Sequence, residues 1–103
     1  MSYNGAVIEI RETETFSSWL KALRDDHARA SIAARLRRLA FGNPADVKPV
    51  GEDVSELRIP QGLGYRVYFV QRGKLLVVLL CGGDKATQNK DIATAKRLAK
   101  EIS

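Results

Sequence analysis

The amino-acid sequence predicts a single α+β domain over residues 1–103, with the element order β-α-α-β-β-β-α. Three observations support this class: two consecutive apolar stripes at helical spacing, three consecutive strand patterns after them, and a third helical stripe at the C-terminus. A chain of 103 residues is long enough for one hydrophobic core. We therefore expect a mainly antiparallel sheet, an N-terminal helical hairpin packed on it, and a C-terminal helix that closes an edge or an end.

The N-terminal part of the chain contains a short strand pattern and two helical patterns. Apolar residues occupy alternate positions in the segment 6–10, as in a half-buried strand. From Thr13, a candidate N-cap, they recur on one helix face at Phe16, Trp19, Leu20 and Leu23. A second helix has Asp25 or Asp26 as its N-cap and ends at the stretch Gly42–Asp53. Two prolines and two glycines in that stretch predict a loop.

The C-terminal part contains three strand patterns and a helix. Val54–Ile59 alternates with period two, and Tyr65–Val70 is rich in aromatic and β-branched residues. Leu75–Cys81 is an unbroken apolar run, typical of a central strand covered on both faces. The final helix has Thr87 or Asn89 as its cap, and its apolar stripe is Ile92, Ala95, Leu98, Ala99 and Ile102.

Composition restricts the function classes. Seventeen Lys and Arg against twelve Asp and Glu give a formal net charge of +5, which favours partners that carry phosphate or carboxylate. One cysteine excludes an internal disulfide, and one Cys with one His does not supply a usual zinc site, so we expect no metal and a reducing cytosol. The segment Met1–Ile10 has no signal-peptide pattern, and Leu75–Cys81 is too short to span a bilayer. A cytoplasmic protein without membrane association is therefore expected.

Arg66 and Tyr68 form the first candidate functional pair. They lie two residues apart in one strand, so both side chains project from the face opposite to Tyr65 and Val67. Arginine offers a planar fork of donors to phosphate, and tyrosine offers a stacking face and a hydroxyl, a combination suited to RNA or single-stranded nucleic acid. An ordinary half-exposed strand, with Arg66 in a salt bridge, is the alternative explanation.

The segment Cys81–Asn89 is the second candidate, because it joins a buried strand to a helix start, where backbone amides can meet an anion. It lacks the spacing of a nucleotide triphosphate loop. Lys85 can neutralise a phosphate or protonate a leaving oxygen, while Asp84, Thr87 and Gln88 can orient water or a hydroxyl. A glycine turn with a capped helix start explains the same residues equally well.

Other reactive or charged residues have simpler explanations. His27 lies among charged residues at the start of the second helix, where a solvated or capping role is usual, so we place it outside the site. Cys81 ends a buried strand and is most simply a small core residue. The cluster Arg35, Arg37 and Arg38 is either a solvated helix face or an auxiliary phosphate contact.

Three segments make the sequence recognisable when they occur together: Ser55–Ile59 (SELRI), Gly64–Phe69 (GYRVYF) and Leu79–Gln88 (LLCGGDKATQ), followed by Asp91-Ile92 and a helix. They resemble the RelE/ParE superfamily of bacterial toxins, most closely the HigB-like, phage-derived Gp49-like branch known as addiction module killer proteins. The resemblance covers nearly the whole chain. It implies the RelE-like fold with the element order given above.

The resemblance implies a toxin of a type II toxin-antitoxin system that a cognate helix-turn-helix antitoxin neutralises. In RelE and HigB relatives the toxin cuts mRNA on the ribosome. ParE relatives share the fold but poison DNA gyrase without hydrolysis, so fold alone leaves both activities open. We favour a ribosome-dependent, metal-independent mRNA endonuclease without a cofactor, and keep a ParE-like gyrase inhibitor as the alternative.

The resemblance also suggests roles for individual residues. Arg66 matches the arginine of the family's GYR motif and would hold the scissile phosphate, Arg58 would add charge at the end of the preceding strand, and Lys85 stands in the basic position after the last strand. Glu56 replaces a lysine usual in the RelE branch, and the tyrosine of the RelE C-terminal tail is missing.

The proton-transfer groups follow from adjacency to Arg66. Asp84 is the nearest carboxylate for a general base, and Tyr68 or Lys85 is the nearest proton donor. Thr87 and Gln88 complete the expected phosphate-binding set.

Overall fold

The computed structural model describes residues 7–44 and 46–102. Within them, five strands form one sheet in the order β1-β5-β4-β3-β2, in which β1 runs parallel to β5 and every other pair is antiparallel. The predicted α+β class and mainly antiparallel sheet are confirmed. The elements are β1 Glu9–Glu12, α1 Glu14–Ala22, α2 Asp26–Ala40, β2 Val47–Gly51, β3 Val54–Ile59, β4 Tyr65–Arg72, β5 Leu76–Gly83, a 3-10 turn Lys85–Thr87, and α3 Gln88–Glu101.

Helices α1 and α2 begin at side-chain caps. Thr13 Oγ1 accepts a hydrogen bond from the backbone N–H of Phe16 (3.0 Å) and donates to the carbonyl of Leu80 (2.6 Å), which joins the start of α1 to β5. Asp25, and not Asp26, caps α2 by accepting from the N–H of Ala28 (3.0 Å). Each cap satisfies an N–H that the first helical turn leaves without a partner.

Each face of the sheet is covered by helices, and each has its own core. On one face α1 and α2 pack over the sheet, with these fully buried side chains at the centre: Phe16, Ile32, Leu57, Val67 and Leu79. On the other face α3 packs over β3, β4 and β5, with Val54, Tyr68, Leu80, Ala95 and Leu98 buried between them. The expectation that the last helix closes an edge or an end is therefore wrong, because its apolar stripe packs on the second face of the sheet, over β3, β4 and β5.

The predicted loop Gly42–Asp53 contains a strand. Residues Val47–Gly51 form β2, which pairs with β3 in the register Val47↔Leu57 and Lys48↔Glu56. Pro49 is tolerated because β2 lies at the edge of the sheet, where a missing N–H costs no central ladder bond. The observed order therefore has one strand more than the predicted one. At the other edge, β1 begins at Glu9, and Ala6 of the predicted strand lies outside the described residues.

No helix in the described ranges, 7–44 and 46–102, is long and apolar enough to cross a membrane.

Candidate functional site

A cleft of about 170 Å³ opens where β3 ends and β4 begins. We call it the arginine cleft, and its lining consists of Asp46, Arg58, Ile59, Pro60, Gly64, Tyr65 and Arg66. Arg58 and Arg66 are direct partners across the β3–β4 pair, so both side chains leave the same sheet face beyond the core. Arg58 is exposed and pairs with Asp46 at 3.5 Å. Two guanidinium groups on one cleft make an anion the favoured ligand.

Arg66 is held firmly at the inner wall of the arginine cleft, with 12% of its side chain exposed. Its Nη1 donates to the carbonyl oxygen of Gly64 at 2.9 Å. Its Nε is buried without a hydrogen bond and lies 3.5 Å from Oε2 of Glu56, which is an ion-pair distance. Among the described residues, no hydrogen bond or ion pair uses Nη2. The predicted face is correct, but the side chain is more buried than a half-exposed strand implies.

Glu56 is the functional candidate that sequence reasoning did not select. Only 1% of the residue is exposed, and its Oε2 accepts hydrogen bonds from the Tyr68 hydroxyl (3.0 Å) and from Nε2 of Gln88 (2.8 Å). We call Glu56, Arg66, Tyr68 and Gln88 the Glu56 cluster. Its members come from β3, β4 and the first residue of α3. The one sequence signal was an acidic residue that shares its strand face with apolar Val54.

Tyr68 is fully buried in the α3 core, so the predicted stacking surface is wrong at this residue. The reason is that α3 covers the sheet face on which Tyr68 lies. Burial and the hydrogen bond to Glu56 raise the pKa of the Tyr68 hydroxyl well above its ordinary value. The hydroxyl therefore stays protonated as a donor to Glu56 and does not reach a ligand in the cleft.

Lys85 lies beside the arginine cleft. Its backbone N–H donates to the carbonyl of Leu63 (3.4 Å), and its Cβ would be 3.5 Å from a Cβ built on Gly64. The same built atom would lie 3.6 Å from Nη1 of Arg66, so Lys85 and Arg66 flank one glycine. The side chain of Lys85 is exposed. The structure thus brings three predicted cations, Arg58, Arg66 and Lys85, to one end of the sheet.

Asp84 and Thr87 are engaged in local structure instead of facing the cleft. Asp84 caps the 3-10 turn by accepting from the N–H of Ala86 (2.8 Å), while Thr87 donates to the carboxylate of Asp91 and accepts from the N–H of Asp84 (3.4 Å). Gln88 turns inward to Glu56. The base role of Asp84 and the phosphate roles of Thr87 and Gln88 stay predictions.

Two adjacent glycines at the end of β5 allow side chains of the helices to pack closely against the strand. A Cβ on Gly82 would collide with the ring of Trp19, and a Cβ on Gly83 would collide with the carboxylate of Asp91. Gly83 also pairs with Arg66 across the sheet. The glycines of the CGGD segment therefore allow close packing next to Arg66.

The remaining candidates do not line the arginine cleft. Cys81 is buried, and burial raises the pKa of its thiol to about 12, as expected for a core residue. His27 lies on the exposed surface of the first turn of α2. Arg35 donates from Nη1 to the carbonyl of Arg58 (3.0 Å), which places its guanidinium near β3. In the described part of the chain, no group of three or more His, Cys, Asp and Glu side chains is arranged to hold a metal ion.

Comparison with known proteins matches residues 18–101 to the family model described as "Phage derived protein Gp49-like". The chain belongs to this family. A relative from Haemophilus influenzae, an uncharacterized protein, is 54% identical over 95 residues, which cover 92% of this chain and 96% of that protein. The Gp49-like resemblance predicted from the three motifs is therefore confirmed.

Among solved structures, the fold is similar to a chain in the crystal structure of the toxin-antitoxin complex RelBE2 from Mycobacterium tuberculosis. The TM-score is 0.56 and the identity is 19%, over 79% of this chain and 94% of that chain. At this identity the likeness supports the RelE-like fold predicted above.

Proposed function

We propose that this Gp49-like chain is the toxin of a type II toxin-antitoxin pair and acts in the cytoplasm as a metal-independent mRNA endonuclease on the ribosome. The observation that carries the proposal is the convergence of Arg58, Arg66 and Lys85 at one end of the sheet, with Arg66 held by a buried carboxylate. A planar guanidinium fixed in this way is pre-organised for a phosphodiester.

The reaction is an attack of the RNA 2′-hydroxyl on the adjacent phosphorus. A bond from phosphorus to O2′ forms, the bond to O5′ breaks, and the proton lost from O2′ is balanced by a proton delivered to O5′. Arg66 and Arg58 stabilise the charge that develops on the phosphoryl oxygens. Lys85 is exposed and flanks Gly64 together with Arg66, so we assign it to the leaving oxygen in place of the buried Tyr68.

The mechanism also needs a general base that takes the proton from the 2′-hydroxyl. Asp84 is the first carboxylate after β5 and is half-buried, but it caps the 3-10 turn and must release Ala86 to act. Asp46 lines the arginine cleft and pairs with Arg58. We keep Asp84 as the predicted base and expect the ribosome to supply part of the orientation.

The proposed partner is a small helix-turn-helix antitoxin that covers or distorts the arginine cleft. Support comes from the RelE-like fold, since the similar solved structure is that of a toxin-antitoxin complex. Acidic antitoxin side chains near Arg58 or Arg66 would match the charge of the cleft. Co-expression with the product of the adjacent gene, followed by co-purification, tests this partner.

The decisive experiment is to induce the chain in a bacterial host and map new RNA 5′ ends inside translated frames together with DNA breaks. We expect RNA ends in wild type that disappear in Arg66→Ala and Lys85→Ala. Arg97→Ala is the matched control, because Arg97 is an exposed cation of α3 that pairs only with Glu101 among the described residues. DNA breaks that depend on gyrase, with intact transcripts, would reject the endonuclease in favour of the ParE-like alternative.

A further inference from the structure

We propose that Glu56 is the positioning residue for Arg66: its buried carboxylate fixes the guanidinium through Nε so that Nη2 faces the phosphate of the ligand. This inference rests on the proposed function, since it assigns a role within the same site. It assigns a role to the buried carboxylate that contacts Arg66, a residue without a part in phosphate binding or proton transfer in the mechanism above.

The first argument is the burial of a charge where an apolar residue would fit. Glu56 is 1% exposed and shares its sheet face with the core residues Val54, Tyr68 and Leu80. A buried carboxylate is costly unless it is paired, and well-packed apolar residues often replace such pairs without loss of stability. A stability role alone therefore does not explain a carboxylate at this position.

The second argument concerns the different contacts that the nitrogens of Arg66 make. A guanidinium has five N–H donors in a rigid plane. Nη1 uses one on the Gly64 carbonyl, and Nε lies 3.5 Å from Oε2 of Glu56 in an ion pair, so one hydrogen bond and one ion pair restrain the plane. The donors of Nη2 are then left for the arginine cleft. A lysine at this position has no rigid plane to be oriented.

The third argument is that Glu56 joins the elements that carry the other cations. Its Oε2 also accepts from Gln88, the first residue of α3, three positions after Lys85. Arg58 lies two residues further along β3. One carboxylate therefore connects the segments that bear Arg58, Arg66 and Lys85.

Glu56 does not act directly on the ligand. Its carboxylate is enclosed, and Oε2 already faces the Tyr68 hydroxyl, the Gln88 amide and Arg66 Nε. A substrate hydroxyl would have to displace these groups to reach Oε2. The role is therefore orientation of Arg66 and not proton transfer.

The test measures the Arg66 side chain directly. In ¹⁵N-labelled protein, the Arg66 Nε–H signal is identified by its loss in Arg66→Lys, and its exchange with water is compared between wild type and Glu56→Gln. We expect exchange to be about tenfold faster in Glu56→Gln, and the affinity for inorganic phosphate, followed by the same spectra, to be about fivefold weaker. Unchanged exchange and unchanged phosphate affinity would overturn the proposal, as would the absence of phosphate binding by wild type.

Cys81→Ala controls for a loosened core, because Cys81 is buried on the same face of the sheet. If it accelerates Arg66 Nε–H exchange as much as Glu56→Gln does, the role of Glu56 is structural and the proposal is wrong. If Glu56→Gln does not fold, guanidinium added to Arg66→Ala provides the second measurement. Restored phosphate binding supports a preformed guanidinium site at Glu56, and no restoration contradicts it.

The outcome is separable from that of the proposed function. Wild type that shows the expected Arg66 exchange and phosphate binding, but cleaves no RNA in a translating extract, would refute the endonuclease and leave the role of Glu56 supported. RNA cleavage that is equal in wild type and Glu56→Gln, with unchanged exchange, would support the endonuclease and refute the role of Glu56.

Discussion

Gly82→Ala tests how closely β5 and α1 are packed beside the candidate site. A Cβ built on Gly82 lies under 3.0 Å from three atoms of the Trp19 ring, so the ring has to move by about 1 Å to reach ordinary contact distance. Trp19 contacts Phe16 (ring centroids 5.7 Å apart) and Tyr65 (6.4 Å), which restricts that movement. Overpacking of this kind costs about 1–3 kcal/mol, and we expect about 2 kcal/mol here.

Urea denaturation of Gly82→Ala, Trp19→Leu and the double variant measures this cost. Because the clash requires the indole ring, Gly82→Ala should cost less than about 0.5 kcal/mol in the Trp19→Leu background, a coupling of about 1.5 kcal/mol. Gly73→Ala is the control, because Gly73 has positive φ but open space around it, so its loss of about 1 kcal/mol should not depend on Trp19. Equal effects of Gly82→Ala in both backgrounds would refute the steric explanation.

Three further perturbations test other parts of the molecule. Arg58→Ala should lower RNA cleavage about tenfold. Because the side chain is exposed, the free energy of unfolding should stay within about 0.5 kcal/mol of wild type, and a large loss in urea denaturation would contradict this. Thr13→Ala should destabilise the fold by about 1–2 kcal/mol by removing the α1 cap and the bond to Leu80, as read from thermal unfolding. Burial raises the pKa of Cys81 from 9.0 to about 12, so its contribution to the free energy of unfolding is fully present below pH 9 and is lost as the pH rises towards 12. Cys81→Ala should therefore make the decline in unfolding free energy over pH 9–10 shallower. An unchanged slope would contradict the assignment.

Sequence patterns predicted the elements that depend on residues close together in the chain. The helix caps at Thr13 and Asp25, and the phase that puts Arg58 away from Leu57, follow from periodicity and short-range hydrogen bonding. β2 was missed because Pro49 and its neighbouring glycines are typical of loops, whereas an edge strand is stabilised by pairing with β3.

The site could be predicted only in part for a related reason. The period of two places Arg58 on the strand face opposite to Leu57 and Arg66 on the face opposite to Val67. Bringing the two arginines together also requires the register in which they pair across β3 and β4. Whether that face is open to ligand depends on where α3 packs, and α3 buries Tyr68 while leaving the Arg66 end accessible. The role of Glu56 was not visible, because its partners Tyr68 and Gln88 lie 12 and 32 positions away in the sequence.

The parallel pairing of β1 with β5 determines when during synthesis the domain can close. The Thr13 hydroxyl binds a carbonyl 67 positions later in the chain, and Gln88 must emerge before it can bind Glu56. A nascent chain that stops before β5 therefore lacks the Leu80 carbonyl that anchors the start of α1, the Gln88 amide that binds Glu56, and Lys85. Contacts this distant in sequence slow folding. Assembly of the cationic site is thereby deferred to the last stage of translation, so premature termination anywhere upstream yields a fragment without it.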